Sequence, residues 1–385
     1  MSVTEVPFFR PSIGDGEIDA VVECLKSGWL TTAGNAAAFE AEFAEAMGGG
    51  VHAVAVNSAT AAMHLALDAL GIGEGDEVIV PTLTFTATAE VVRYMGATPL
   101  LTDMDPATFC MTPELAEAVI TEKTRAIMPV HFAGRSCDMT GLRALADTHN
   151  LAIVDDAAHA LPTEHAGALI GSTGARSDIT AFSFYANKTM TTGEGGMLVT
   201  ADEALAKRAR IMRLHGIDRD VFDRFTNTKA GWIYDVVAPG FKYNLTDIAA
   251  AMGRVQLSRV DGFRADRAAQ AARYDEALAD LPLILPPHAA PGDSHSWHLY
   301  IVQLADDAPI GRNDFILALK EAGVGCSVHY RPLHQMTYWA DAAPEGGCPA
   351  AEDYFKRCVS LPLFMDMTED EQTYVIATIR GLLGG

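Results

Sequence analysis

The chain lacks any apolar run long enough to cross a bilayer, and Met1 to Arg10 carries no basic-then-apolar signal. A soluble, unexported, cytoplasmic protein is therefore expected. Cysteine is sparse: Cys24, Cys110, Cys137, Cys326, Cys348 and Cys358 are scattered without a CxxC pair or finger spacing. That suits a reducing compartment, with neither disulfides nor zinc expected. Basic residues are also few, 28 Lys plus Arg against 50 Asp plus Glu, for a net charge of -22. Nucleic acid is a poor partner for such a chain, and a phosphate-bearing ligand would need a local basic or amide-lined pocket. No internal repeat or low-complexity tract is present.

The remaining information lies in length and pattern. At 385 residues and 49% hydrophobic content, the chain can bury a large domain and a smaller one. Ile18, Val21, Val22 and Leu25 recur at helical spacing between Gly14 and Gly28, and a second helix is predicted over Ala36 to Met47. From Val51 short apolar strands alternate with helices: VHAVAVN, DEVIVP, ATPLLTDM, RAIMPVHF and LAIVDDAAHA. Such alternation predicts an α/β fold, a mostly parallel sheet with helices on both faces. ITAFSFYANK and GEGGMLVTA follow as two strands around a loop. A long helix over roughly Leu245 to Leu281 bridges to a smaller α/β domain, whose strands are read in HSWHLYIVQL and GVGCSVHY. The division is drawn as 1–250 for the large domain and 251–385 for the small one.

Three motifs carry chemistry. Asn57-Ser58-Ala59-Thr60 stands where a strand ends and a helix begins, which reads as a plain N-cap or as an anion site at a helix N-terminus. Asp155-Asp156-Ala157-Ala158-His159 follows the strand LAIV at the edge where open α/β sheets bind ligands. A carboxylate buried there can keep a pyridinium nitrogen protonated, although an acidic pair can also bind metal or cap. Asp156 and His159, three apart, can face one ring. Ser183-Phe184-Tyr185-Ala186-Asn187-Lys188 precedes the turn Gly193-Glu194-Gly195-Gly196. A lone lysine after a strand is usually a solvated charge, whereas one in a crowded pocket can lose its proton and attack an aldehyde.

Taken together, NSATAAMHLAL, PTLTFTATAE, AIVDDAAHA, FSFYANKTMTTGEGGML and PGFKYNLTDIAAAMG resemble the DegT/DnrJ/EryC1/StrS family of sugar aminotransferases, members of pyridoxal phosphate (PLP) fold type I. The likeness runs from FFRPSIG to SLPLFMDMTEDE. It implies that Lys188 is the Schiff-base lysine and proton carrier, that Asp156 pairs with the pyridine nitrogen and that His159 lies near the phenolic oxygen. It further implies that Phe85 stacks on the ring while the Ala59 and Thr60 amides and the Ser183 hydroxyl hold the phosphate. Asn244 would reach the phosphate of the neighbouring subunit's cofactor, giving a homodimer with shared sites.

SGWLTT, ALGIGEGDEV, PVHFAG, EGGMLVT and APGFKYNL are similar to the branch that aminates C4 of UDP-linked 4-keto sugars, with L-glutamate as the implied amino donor. Tyr185-Ala186-Asn187 and Val328 to His334 depart from that branch beside the sugar pocket, so the sugar stays open. Tyr185, His329, Tyr330 and Arg331 are candidate contacts to the sugar or the donor carboxylate, an arginine gripping carboxylates bidentately; a structural strand end is the other reading of 329–331. Trp29 and Thr32 line the same cleft or, for Trp29, an interface. Lys242 and Arg331 are candidate cations for the diphosphate, His131 is a candidate cofactor neighbour or a buried structural histidine, and Cys326 is read as structural. A dehydratase of the same fold is disfavoured because a histidine typically replaces its lysine. A PLP-binding regulator is disfavoured by the acidic charge, and a nicotinamide enzyme by the missing G-x-G-x-x-G.

Overall fold

The computed structural model describes residues 3–218 and 234–384. Helices α1 (Asp15–Ser27) and α2 (Gly34–Ala46) lead into β1 (His52–Val56), α3 (Ala59–Ala69), β2 (Glu77–Pro81), α4 (Ala87–Tyr94) and β3 (Thr98–Thr102). Then come α5 (Pro113–Glu117), β4 (Thr124–Ile127), α6 (Met139–His149), β5 (Ala152–Asp156), a small hairpin of β6 (Glu164–His165) and β7 (Ala168–Leu169), β8 (Ile179–Ser183), β9 (Gly196–Thr200) and α7 (Glu203–Met212). The seven-stranded sheet has the order β1-β9-β8-β5-β4-β2-β3. Within it β9 pairs antiparallel with both neighbours, and the other pairings are parallel.

Strand periodicity divides the core. Ala53, Ala55, Ile79, Phe182, Met197 and Val199 face a cluster with α2 and α6, while Val54, Val56, Val78, Val80, Ala181 and Leu198 face one with α3, α4 and α7. Both faces are covered, which is why these strands read as nearly continuous apolar runs.

The bridging helix α8 (Asp247–Leu278) starts on Thr246, whose hydroxyl accepts from the Ala249 N–H. Beyond it β10 (Leu283–Ile284), β11 (Tyr300–Leu304), α9 (Arg312–Glu321), α10 (Pro349–Arg357), β12 (Cys358–Leu361) and α11 (Glu369–Leu383) build a third core, with a sheet of order β10-β11-β12. Val6, inside the 1–250 span, packs with this core and bridges to Val324.

Two expectations change. GVGCSVHY forms no strand: Val324 bridges to Val6 and Ser327 to Ser360, so its backbone partners are split between two segments. RAIMPVHF pairs as a strand only to Ile127, and Pro129 beyond it has no N–H to donate. The structure also adds α10 and β12, which the sequence pattern does not signal.

The apolar stripe of α1 turns outward. Ile18, Val22 and Leu25 are 52%, 37% and 51% exposed, while Glu17 and Cys24 are buried. Glu17 offsets its burial by accepting from Gln256 Nε2 at 2.7 Å, Arg259 Nη1 at 2.5 Å and the Gly14 N–H at 3.0 Å. Among the described residues no helix is long and apolar enough to cross a membrane.

Candidate active site

The carboxyl ends of the parallel strands and the amino end of β9 open on one cavity of about 500 Å³, a size suited to a cofactor. Asp156 ends β5, Ser183 ends β8, and Ser58 to Thr60 begin α3 after β1. Phe85 lies on the turn after β2, and Tyr185, Lys188, His159, His329 and Tyr330 also line the cavity.

At one end, the Ser58 hydroxyl accepts from the Ala61 N–H at 3.1 Å, so the N-cap reading holds. The Ala59 and Thr60 N–H groups, at the first helical positions, have no acceptor among the described residues. The capped helix start therefore also leaves two amides open toward the cavity. Glycine is required opposite: a Cβ on Gly196 would stand 2.5 Å from Ser58 C and 2.7 Å from Ala59 N. Ser183 Oγ, on the same side, accepts from the Tyr185 N–H at 3.3 Å and keeps its own proton to offer.

At the other end, Asp156 is buried, and burial pushes its carboxyl upward. Two donors oppose this: Thr88 Oγ1 at 2.7 Å from Oδ2, and the Ala158 N–H at 3.1 Å from Oδ1. Thr84 Oγ1 lies 2.7 Å from Thr88 Oγ1 and, since Thr88 donates to the carboxylate, Thr84 donates to Thr88. The neighbouring Asp155 faces elsewhere, with Oδ2 3.5 Å from His131 Nε2, and both groups are fully buried. His131 Nδ1 accepts from the Cys137 N–H at 3.2 Å, so this histidine is a structural one outside the cavity lining.

Between these ends stands Lys188. Burial pushes its amine down to about 8 against the pull of Asp156, so roughly a tenth is unprotonated at pH 7, far more than for an ordinary lysine. Phe85, 59% exposed, presents an aromatic face to the cavity, and its turn is pinned by Trp339 Nε1 donating to Thr86 Oγ1 at 3.1 Å. His159 and His329 are both pushed down by burial, His329 to about 3, and are neutral. His329 Nδ1 is 2.7 Å from Ser360 Oγ.

Some predicted residues lie elsewhere. Asn244 Nδ2 donates to Thr32 Oγ1 at 2.6 Å, and Thr32 Oγ1 donates to Leu245 O at 2.5 Å. Lys242 Nζ contacts Asn244 Oδ1. This group and Trp29 are not part of the cavity lining within one chain. Arg331 is exposed and donates to Gln335 O at 2.5 Å, also outside the lining. Cys326 is half-buried with its thiol pushed up by burial, as a structural cysteine would be. Sequence reasoning missed Thr88 and Thr84, whose role depends on a contact to Asp156 across 68 residues.

An amine that loses its proton readily, a buried carboxylate, an aromatic face and two open amides suit a flat aromatic aldehyde bearing a phosphate. The DegT/DnrJ/EryC1/StrS aminotransferase family model matches residues 11–380. The chain belongs to this family. It is 44% identical over 384 residues to the spore coat polysaccharide biosynthesis protein SpsC of Bacillus subtilis (strain 168), covering 99% of this chain and 97% of that one. Spr1654 of Streptococcus pneumoniae, assigned as a sugar aminotransferase, superposes with a TM-score of 0.91 at 34% identity over 99% of both chains, and it has been solved in PMP, PLP and apo forms. DesV of S. venezuelae, solved with a ketimine intermediate, gives a TM-score of 0.87 at 35% identity over 98% of both chains. The protein is a PLP-dependent sugar aminotransferase of fold type I, and its cavity fits that cofactor.

Proposed function

We propose that the enzyme moves an amino group from L-glutamate to the keto carbon, C4, of a nucleotide-linked keto sugar in the cytoplasm, for amino-sugar biosynthesis. The observation that carries this reading is Lys188, its amine near 8, in one cavity with Asp156. PLP supplies the electron sink that stabilises negative charge at the substrate carbon. Lys188 would hold the cofactor, and its amine, titrating near 8, is suited both to accept a proton from the substrate carbon and to return one. The Asp156 carboxylate, favoured in its charged form by the Thr88 hydrogen bond, would pair with the ring nitrogen. The Ala59 and Thr60 N–H groups and the Ser183 hydroxyl would hold the phosphate, and Phe85 would cover the ring face. Tyr185, His329 and Tyr330 border the space left for the sugar. Arg331, Lys242, Trp29 and Thr32 serve the substrate only from a second subunit or after side-chain movement.

A homodimer is part of the reading. Ile18, Val22, Leu25, Trp29 and Leu30 leave an exposed apolar strip along α1 and the turn after it, which a second copy would bury. Asn244, outside its own cavity, would then serve its partner's phosphate.

The test is product analysis. The purified enzyme, PLP and L-glutamate are incubated with a panel of nucleotide 4-keto and 3-keto sugars, and amine formation is followed by mass spectrometry and NMR. The proposal expects an amine at C4 of a nucleotide-linked acceptor; amination only of free sugars, or only at C3, would contradict it.

A further inference from the structure

Under the reading above, His159 serves the ring's phenolic oxygen, yet in the structure its outer nitrogen already faces another oxygen. His159 Nδ1 lies 3.2 Å from the Ala133 N–H. A backbone amide only donates, so Nδ1 is the bare nitrogen. The ring is neutral, so its single proton is on Nε2, which lies 3.2 Å from the Tyr330 hydroxyl. Tyr330 oxygen therefore accepts from His159. The phenol keeps its own proton, because burial and then the negative Asp156 push its ionisation upward. That proton has no acceptor among the described residues, and Tyr330 lines the cavity beside Lys188 and Asp156.

The phenol is held in place. Its ring lies 6.1 Å from His159 at 29°, 6.0 Å from Phe85 and 6.1 Å from Phe132. Tyr354 fixes the preceding backbone by donating to His329 O at 2.8 Å. The other titratable groups around the pair are Lys188, Asp156, His329, Tyr354 and His298, whose ring packs 4.3 Å from that of His159.

We infer that Tyr330, rather than His159, delivers the hydrogen bond to the ring's phenolic oxygen. His159 is then a positioning residue: it donates to the Tyr330 oxygen and turns the phenol proton into the cavity. The inference rests on the PLP placement proposed above.

The test is a pH titration of the bound cofactor's visible absorbance in the parent, Tyr330→Phe, His159→Gln and the double variant. A donor at the phenolic oxygen stabilises its anionic form, so losing it raises the midpoint. For a hydrogen bond to a charged oxygen the rise is roughly one to two pH units. Tyr330→Phe should show that rise, and adding His159→Gln should bring no further shift. An unchanged Tyr330→Phe midpoint with a shifted His159→Gln midpoint overturns the inference. So does an unchanged midpoint with a raised KM for the sugar, which assigns the proton to a substrate oxygen. If Tyr330→Phe fails to fold, 3-fluorotyrosine at 330, a stronger donor, should lower the midpoint, and no movement overturns the inference. A parent that takes up no PLP refutes the proposed function itself; a parent that binds and turns over with an unmoved Tyr330→Phe refutes this inference alone.

Discussion

Replacing Thr88 by valine removes one hydroxyl and little volume, which isolates the hydrogen bond to Asp156 Oδ2 at 2.7 Å. A hydrogen bond to a charged group contributes about 1.5–3 kcal/mol, and one pKa unit corresponds to about 1.4 kcal/mol. The Asp156 carboxyl, already raised by burial, should therefore rise by a further one to two units, roughly. The sign of the stability effect follows. For an acid whose folded pKa lies above its unfolded one, the penalty is absent below the unfolded value, near 4, and grows as pH rises through the folded value. Thermal unfolding of the apoprotein should thus show a small gap between parent and Thr88→Val at pH 4. The gap should widen toward pH 7 and flatten once the pH exceeds the raised carboxyl pKa of Thr88→Val. PLP affinity at pH 7 should fall in parallel, because a protonated Asp156 cannot hold a pyridinium. A stability gap independent of pH, with unchanged PLP affinity, would refute the role given to the hydroxyl.

Three further outcomes are expected. The rate at which PLP attaches to apoprotein should rise with pH through about 8 and then level, since only the unprotonated Lys188 amine reacts; a rate flat from pH 6 to 9, measured by rapid mixing, would contradict its depressed pKa. Gly196→Ala should weaken PLP binding by about tenfold or more, since its Cβ would stand 2.7 Å from Ala59 N and displace the amides proposed to hold the phosphate, and equal affinity in a spectroscopic titration would count against that site. Mixing Lys188→Ala with Asn244→Asp after mild dissociation should restore about a quarter of parental turnover, since half the dimers are mixed and each carries one intact site. No restoration, with mixed dimers shown by native mass spectrometry, would argue against shared sites.

The sheet was largely legible because both its faces are buried and its strands are apolar throughout, as in HAVAV and GMLVT. Helix starts at Ser58, Thr246 and Thr368 carried their own capping side chains. That Lys188, Asp156 and Ser58 to Thr60 share one cavity was legible because each lies at, or a few residues beyond, a strand end whose position the pattern fixes. The hydroxyl chain from Thr84 through Thr88 to Asp156, and the pairing of Tyr330 with His159, were not, since each joins side chains far apart in sequence. The α1 periodicity located the helix but not its facing, because an apolar stripe does not reveal whether its own core or another surface covers it. The 323–330 segment looked like a strand because apolar residues alternate there, yet its hydrogen bonds go to two different partners.

The most direct test of the central claim is the site of covalent attachment. The holoenzyme is reduced with borohydride, digested, and the phosphopyridoxyl group located by mass spectrometry. The group should be found on Lys188, in the peptide that contains Asn187 and Thr189. A group located on any other lysine, or none bound after saturation with PLP, would contradict the account.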